Sequence, residues 1–426
     1  MKSSEAIKRI ESGALDKYAS LYGDRAADQP ERYISAIRDF CRLYGEDRDI
    51  TVISVSGRSE ISGNHTDHNG GEVLCAAVNR DIIAIASPSE NEHIRITSKG
   101  YSEDAFTLSE AGSPDNFKKF TSRAIIAGIC RGLSDRGYEV GGFDAYTTSN
   151  VAKGSGLSSS AAFEVTVGCI ISNLFNGGRI ENKLLAIVGQ YAENEYFGKP
   201  SGLMDQLACA LGGFVYIDFE DPTDPIVEPI DFSIADRGYS LCIVNTGGSH
   251  ANLNDDYASV PLEMKKIAAY FGRDKLRGIT EEDIIGNAPV LRAAAGDRAI
   301  LRAIHFVSEN RRVEEQARAL REGDIDSFLS LVLESGNSSF RFLQNVFSTI
   351  SPNEQGISLA IAVAETALRG KKCAYRVHGG GFAGTMLAFI PNDLTASYTA
   401  LMDSVFGEGA TTVLTVRPEG AIRIEL

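Results

Sequence analysis

At 426 residues the chain is long for a single core, so two domains are the default expectation. Its 43% hydrophobic and 23% charged residues match a soluble globular protein. A formal net charge of −15 excludes a broad nucleic-acid or anionic-membrane face, while leaving room for a local basic pocket for phosphate.

Seven cysteines (Cys41, Cys75, Cys130, Cys169, Cys209, Cys242 and Cys373) are odd in number, widely spaced and without a CxxC pair. That usage suits buried free thiols in a reducing compartment. The opening MKSSEAIKRIESGALDKY carries charges where a signal peptide needs an apolar core, and no run is long enough to span a bilayer. The expectation is a cytoplasmic protein with no membrane partner.

The first fifty residues read as a helical lead-in. LYGD (Leu21–Asp24) and LYGED (Leu43–Asp47) each follow a helix-like run and put glycine where a helix would end. From Ile50 to about Thr148, the segments ITVISV, DIIAIAS and HIRITS predict strands, and FKKFTSRAIIAGICRGL predicts a helix. SNVAKGSGLSSS is a small-residue loop. It enters AAFEVTVGCIISNLF, whose Phe163, Val167, Ile170 and Leu174 recur at helical spacing. NKLLAIVGQYAENEYF predicts a further helix, followed by GKPSGLMDQLACALGG and the strand GFVYIDF. The proline-bearing DPTDPIVEPIDF marks the expected domain boundary. Beyond it come the strand YSLCIVNT, long helical patterns from Asp256 to about Leu368, and strands in CAYRVHGGGFAGTMLAFIP and TVLTVRPEGAIRIEL. This is an α+β mixture without regular βα alternation.

Four segments carry chemistry. GRSEISGNHTDHNGG (Gly57–Gly71) crowds an arginine, a glutamate, two histidines and an aspartate between two apolar strands. KGSGLSSS (Lys153–Ser160) precedes a helix, so its backbone amides, its hydroxyls and the helix dipole could cradle a phosphate; no Walker A sequence occurs. A flexible loop with an N-cap serine is the plain alternative. GLMDQ (Gly202–Gln206) brings a carboxylate into the start of a helix, where it could simply complement the dipole. HGGGFAG (His378–Gly384) matches a dinucleotide fingerprint, but an apolar strand ending at Pro391 follows where a helix should. Two strands joined by a glycine turn pressed against another loop is the better reading.

In this order and spacing the four segments resemble the motif series of the GHMP small-molecule kinases, and of the galactokinases in particular, from about Ser56 to Phe389. Those carry patterns like PGRxNxxGEHxDYNGG, PxGxGLSSSA, GxMDQ and GGGFGG, and NTGGSHANLNDDY (Asn245–Tyr257) is similar to the stretch opening their C-terminal half. The resemblance implies a two-domain GHMP kinase fold: a ribosomal-protein-S5-like α/β domain over 1–235 and a ferredoxin-like α+β domain over 236–426. The last strand segment is open to returning to the first domain. It implies a sugar 1-kinase using ATP and Mg²⁺, with no nucleic-acid, membrane or obligate protein partner.

By the resemblance, Lys153, Gly154, Ser155, Gly156, Leu157, Ser158, Ser159 and Ser160 wrap the ATP phosphates. Ser160 and Glu193 hold Mg²⁺. Asp205 takes the proton of the attacking hydroxyl, and Arg58 sits beside it. Glu60, Asn64, His65, Asp67 and Tyr257 face the sugar. From the residues alone, zinc on His65-Thr-Asp-His68 is an alternative, although no helical HExxH pattern supports it. A non-catalytic sugar sensor on the same fold is the rival from another class, but the uninterrupted serine loop and Asp205 favour catalysis.

Three departures stand out. Ser56 and Ala152 replace prolines, and Glu60 and Asn64 exchange the family's asparagine and glutamate. Four positions apart, the exchanged pair would share a face if the segment were helical. If Glu60 reaches the pocket, a neutral hexose stays the substrate. If it does not, a uronate or substituted hexose becomes acceptable.

Overall fold

The computed structural model describes residues 1–152, 156–248 and 253–426. The lead-in forms α1 (Ser3–Glu11) and α2 (Gln29–Tyr44), linked by short 3₁₀ turns. Pro30 lies in the first turn of α2, and Gly45, at φ 101°, ends it as expected. Gly23 does not end an α-helix; it opens the 3₁₀ turn Gly23–Asp28.

In chain order there follow β1 (Thr51–Ser62), β2 (Glu72–Pro88), β3 (His93–Ser98), β4 (Asp104–Thr107), α3 (Ser122–Ser134), β5 (Phe143–Ser149), α4 (Ser159–Phe175), α5 (Asn182–Tyr191), α6 (Met204–Leu211), β6 (Phe214–Asp218) and β7 (Ile226–Ile230). Next are β8 (Tyr239–Asn245), α7 (Asn254–Tyr270), α8 (Glu281–Gly286), α9 (Ala288–Ala295), α10 (Asp297–Glu322) and α11 (Ile325–Ser338). The chain closes with α12 (Gly356–Ala367), β9 (Ala374–His378), β10 (Thr385–Pro391), α13 (Asn392–Phe406), β11 (Thr411–Leu414) and β12 (Ala421–Arg423).

Two predicted helices are shorter than their patterns. FKKF stays outside α3, whose start is set by Thr121 accepting from the Ala124 amide. The helix predicted to run through Phe197 leaves α geometry after Tyr191 and continues as a π-turn, Ala192–Phe197, stopped by Gly198 at φ 86°. Such turns widen the helix by one residue and re-aim its side chains. Glu193 lies in this one.

The larger sheet runs β12-β1-β2-β5-β3-β4, with β6 and β7 attached through β2; the smaller runs β11-β8-β10-β9. Apart from the parallel β3–β5 pair, the ladders are antiparallel. β12 belongs to the larger sheet, where Ala421 pairs with Val55.

β2 is buried along nearly its whole length, because both faces of this sheet are covered. Helices α3 to α6 supply one cover, with Ala127, Val165, Ile170, Val188 and Leu207 in a continuous core. α2 supplies the other, packing Tyr33, Ile37 and Phe40 against Val52, Ile83, Ile85 and Tyr146. A buried polar knot fixes α2 there. The Asp81 carboxylate accepts from Ser54, Tyr22 and Arg32, and Arg417 lies 3.3 Å from it. Burial alone would raise the Asp81 pKa, but Arg32 and Arg417 reverse the shift and hold it low. The knot joins lead-in, central strands and C-terminal segment.

Candidate active site

Arg58 and Glu60 stand two residues apart on β1, so the pleat sends both side chains to the same face. The β1–β2 register slips at Ser56/Gly57 and again between Glu60 and Ser62. These irregularities bend the strand where it meets the loop before α4. Gly57 permits the contact: a Cβ there would lie 2.9 Å from the Leu157 carbonyl, which accepts from the Arg58 amide at 3.1 Å.

The turn after β1 is not helical, so Glu60 and Asn64 do not meet as neighbours on a helix. They meet across a strand and a turn. Asn64 Nδ2 donates to Glu60 Oε1 (2.8 Å) and to the Gly379 carbonyl (2.7 Å), while Asn64 Oδ1 accepts from Asn345. Asn64 is fully buried and its amide is committed to protein groups. Arg376 Nη2 lies 3.7 Å from the same Glu60 oxygen. Burial raises the Glu60 pKa, and Arg376 and Arg58 partly offset it.

His65 holds a left-handed φ of 59°. Its Nε2 lies 2.8 Å from the Gly380 carbonyl, an acceptor, so Nε2 carries the proton and Nδ1 is left as an acceptor. Burial lowers its pKa. His68 is half exposed, 3.6 Å from Asp67 Oδ1. Among the described residues no three such groups converge to hold a metal, so the zinc alternative gains no support. Asp67 opens the 3₁₀ turn Asp67–Asn69. A Cβ on Gly202 would sit 2.8 Å from Asp67 Oδ2, so this glycine brings the GLMDQ segment against the first motif.

Asp205, in the first turn of α6, is where the motifs converge. Arg58 Nε donates to Asp205 Oδ1 at 2.7 Å, and Ser158 Oγ donates to Oδ2. Arg58 also donates to the Gly156 carbonyl. Burial would raise the Asp205 pKa, but the Arg58 charge and the Ser158 and Arg58 hydrogen bonds lower it overall. Ser158 is a left-handed N-cap residue (φ 53°) whose side chain does not cap α4. The first amides of that helix therefore keep their anion-binding capacity. Gly156 presses on the HGGGFAG turn, since its Cβ would meet the His378 ring at 2.8 Å. That turn joins two antiparallel strands, as the sequence predicts.

A small cavity of about 170 Å³ sits at this junction. Arg58, Glu60, Asn64, His65, Asp67 and Met204 line it, with Gly379 and Gly380. Tyr257 is not among its lining residues; its hydroxyl donates to the Gly381 carbonyl at 3.0 Å, and its ring meets Phe382 edge-on. Lys153, Gly154 and Ser155 lie outside the described residues, as do residues 249–252 of the segment before Tyr257.

Behind Asp205 lies an acid pair: Glu193, which the resemblance names, and Glu164, which no motif flags. Gln206 Nε2 bridges Glu164 Oε2 (2.8 Å) and Glu193 Oε2 (3.1 Å). Glu164 stands one turn beyond Ser160 on α4. Burial and then the Glu193 charge push its pKa up to about 8, and its Oε1 is buried with no hydrogen-bond partner among the described residues. The legible signal was a charge inside the otherwise apolar AAFEVTVGC. Glu193 also takes Lys199 on Oε1 and Ser201 on Oε2. The Glu193 carboxylate, the orphaned Glu164 Oε1 and the hydroxyls of Ser159 and Ser160 at the start of α4 are hard oxygen donors, the ligand chemistry that suits Mg²⁺.

Comparisons with known proteins identify the family. The family model for the GHMP kinases N terminal domain matches residues 124–213, and that for the galactokinase galactose-binding signature matches residues 38–88. The galactokinase of Glaesserella parasuis is 31% identical over 349 residues, 80% of this chain and 85% of that protein. The galactokinase of Streptomyces coelicolor is 30% identical over 371 residues, 86% of this chain and 91% of that protein. The chain belongs to the galactokinase family. It is accordingly an ATP-dependent sugar kinase. Its fold is that of the GHMP kinases: Lactococcus lactis galactokinase, solved with galactose, superposes with a TM-score of 0.77 at 24% identity, covering 92% of this chain and 99% of that one. The mevalonate kinase of Methanococcus jannaschii superposes at 0.60 with 14% identity, covering 86% of this chain and 98% of that one. Among the described residues no helix is long and apolar enough to cross a membrane.

Proposed function

We propose that the chain transfers the γ-phosphate of ATP to the anomeric hydroxyl of a neutral hexose, galactose first among candidates. The observation that carries this is the Arg58–Asp205–Ser158 cluster, placed between the small cavity and the uncapped start of α4. The sugar sits in the cavity, and the phosphates lie along the helix start.

Phosphoryl transfer needs alignment and charge neutralisation more than covalent help. Asp205 is held ionised by Arg58, so it is a weak base. It orients the hydroxyl first, and accepts the proton as bonding to phosphorus makes that hydroxyl acidic. Arg58 Nε and Nη2 both lie on Asp205 Oδ1, at 2.7 and 2.6 Å, whereas Oδ2 retains a lone pair beyond the Ser158 bond. Arg58, itself buried, keeps the developing negative charge compensated. A divalent ion bound with the nucleotide, held by Glu193 and Ser160, would neutralise phosphate charge. His65 Nδ1 and Asp67 offer acceptors to sugar hydroxyls.

Glu60 supports the neutral substrate. Its carboxylate remains on the cavity wall, and the Arg376 charge is already directed at it. A C6 carboxylate would face Glu60, whereas a C6 hydroxyl could donate to it. The test is ³¹P NMR of ATP with galactose, with galacturonate and with no sugar. A sugar 1-phosphate resonance is expected with galactose. Preference for galacturonate would overturn the substrate, and binding of galactose without phosphate transfer would favour the sugar-sensor reading.

A further inference from the structure

Lys199 is a cation the motif reading does not use. It follows the left-handed Gly198 that stops the π-turn, and its Nζ lies 2.9 Å from Glu193 Oε1. Ser201 Oγ and Gln206 Nε2 satisfy the other oxygen, at 2.6 and 3.1 Å. Glu193 is thus a buried carboxylate with each oxygen occupied, and among its described hydrogen-bond partners Lys199 is the charged one. The two side chains differ sharply in exposure: 4% for Glu193 and 55% for Lys199. The ammonium therefore reaches Oε1 from the solvent side, while the neutral donors hold Oε2 from within.

A divalent ion on Glu193 needs a carboxylate oxygen at about 2.1 Å; Oε2 already accepts from Ser201 and Gln206, which leaves Oε1, the oxygen that Lys199 holds. An ammonium and a divalent ion cannot share that oxygen at contact distance without strong repulsion.

We propose that Lys199 is a positioning residue that occupies the metal-facing oxygen of Glu193 while the nucleotide site is empty, and that the divalent ion must displace it to bind. This rests on Glu193 being the metal ligand, as in the reading above. The consequence is a site that does not hold a divalent ion by itself. Without Lys199 the buried Glu193 charge, next to Glu164 and near Asp205, would lack a cation and would take up metal from solution. With it, the ion is retained only when nucleotide phosphates complete its coordination and give the displaced ammonium a new anion.

The test titrates nucleotide-free, full-length protein with Mn²⁺ and reads the free-ion EPR signal. Lys199→Met should tighten Mn²⁺ binding about two- to fivefold, the size of a half-exposed ion pair. Lys199→Arg, which keeps the cation, should stay close to the unmodified protein. Unchanged or weaker Mn²⁺ binding in Lys199→Met overturns the proposal, as does a gain of the same size in Lys199→Arg. The double variant Lys199→Met/Glu193→Gln separates the layers. Loss of the gain there places the ion on Glu193. A gain that survives removes Glu193 as ligand, and with it both the proposal and the metal assignment. If Lys199→Met gives no gain while Glu193→Gln raises the metal concentration needed for turnover, the metal assignment stands and the proposal alone falls.

Discussion

Two histidines outside the reaction couple the sugar pocket to pH. His305, on α10, lies under the first motif: its Nε2 is 3.0 Å from the Asn64 carbonyl and its Nδ1 is 2.8 Å from Ser338 Oγ. A carbonyl only accepts, so Nε2 holds the proton and Nδ1 accepts from the serine, which describes a neutral ring. His378, at the end of β9, sits between Ser59 Oγ (3.1 Å) and Thr385 Oγ1 (2.9 Å). Burial is the largest cause in both, driving His305 down to about 4 and His378 to about 3. In the unfolded chain each titrates near its ordinary value of about 6.5. Between those limits the unfolded state binds more protons than the folded state, so stability is full above about pH 6.5 and falls as pH drops towards the folded values. From pH 7 to pH 5 each ring costs about 2 kcal/mol, about 4 kcal/mol together. Glu309, whose low pKa of about 2 is set against burial by Arg312, His305 and Arg376, adds a further loss only below about pH 4.5. The perturbation is His305→Gln, whose amide can still donate to Asn64 and accept from Ser338. Urea unfolding at pH 7 and pH 5 should show this variant losing about 2 kcal/mol less over that interval than the parent, whatever its stability at pH 7. An equal loss in both proteins, or an NMR titration of the folded His305 ring near pH 6.5, would refute the reasoning.

Asp205→Asn should lower the phosphorylation rate by about 10²–10⁴-fold with sugar binding largely kept, read by ADP release and by calorimetry; an unchanged rate removes Asp205 as proton acceptor. Glu60→Gln removes the charge facing C6 and should raise the galacturonate-to-galactose ratio of kcat/KM about tenfold or more; a fixed ratio would mean Glu60 does not face that end of the sugar. Gly202→Ala forces Asp67 away by putting a methyl 2.8 Å from its Oδ2, so KM for sugar should rise while KM for ATP stays; equal changes in both would place Asp67 elsewhere. Asp81→Ala strands the buried Arg417, and should cost about 3–5 kcal/mol in urea unfolding; a loss under 1 kcal/mol would show the knot to be dispensable.

The parts of the fold and site that could be read in the sequence are those whose signal is local. Strand alternation in ITVISV, helical spacing from Phe163 to Leu174, and the failure of HGGGFAG to lead into a helix each need only a short window. The Arg58–Asp205 contact was reachable through family resemblance, because both residues lie inside motifs. What could not be read depends on distant elements. Glu60 and Asn64, four positions apart, would share a face only if the segment were helical. The continuing β1 ladder and the register slip before Ser62 instead put one on a strand and the other in a turn. The bond from the Tyr257 hydroxyl to a turn more than a hundred residues later has no local signal either. The Glu164–Gln206–Glu193 chain crosses three separate helical segments, and no pattern within one segment announces it. The lead-in gave a helical pattern without a purpose, because the sheet face it covers is built from β1, β2 and β5.

The exchange of acid and amide in the first motif follows from where each position lies. Position 60 is a strand residue in register with Cys75, two residues from Arg58, and its direction is fixed by the pleat. Position 64 is in a turn pinned from behind. Glu309 accepts from Ser62 Oγ (3.0 Å) and the Gly63 amide (3.1 Å), and His305 takes the Asn64 carbonyl. A carboxylate at position 64 would face the Gly379 carbonyl with no proton to give it, and an acid beside Glu60 would add like-charge repulsion. An amide there satisfies the carbonyl, donates to Glu60 and accepts from Asn345 at once. With Asn64 as the buried support, one carboxylate at the pocket wall is enough, and placing it on the strand makes its orientation a property of the sheet rather than of the turn.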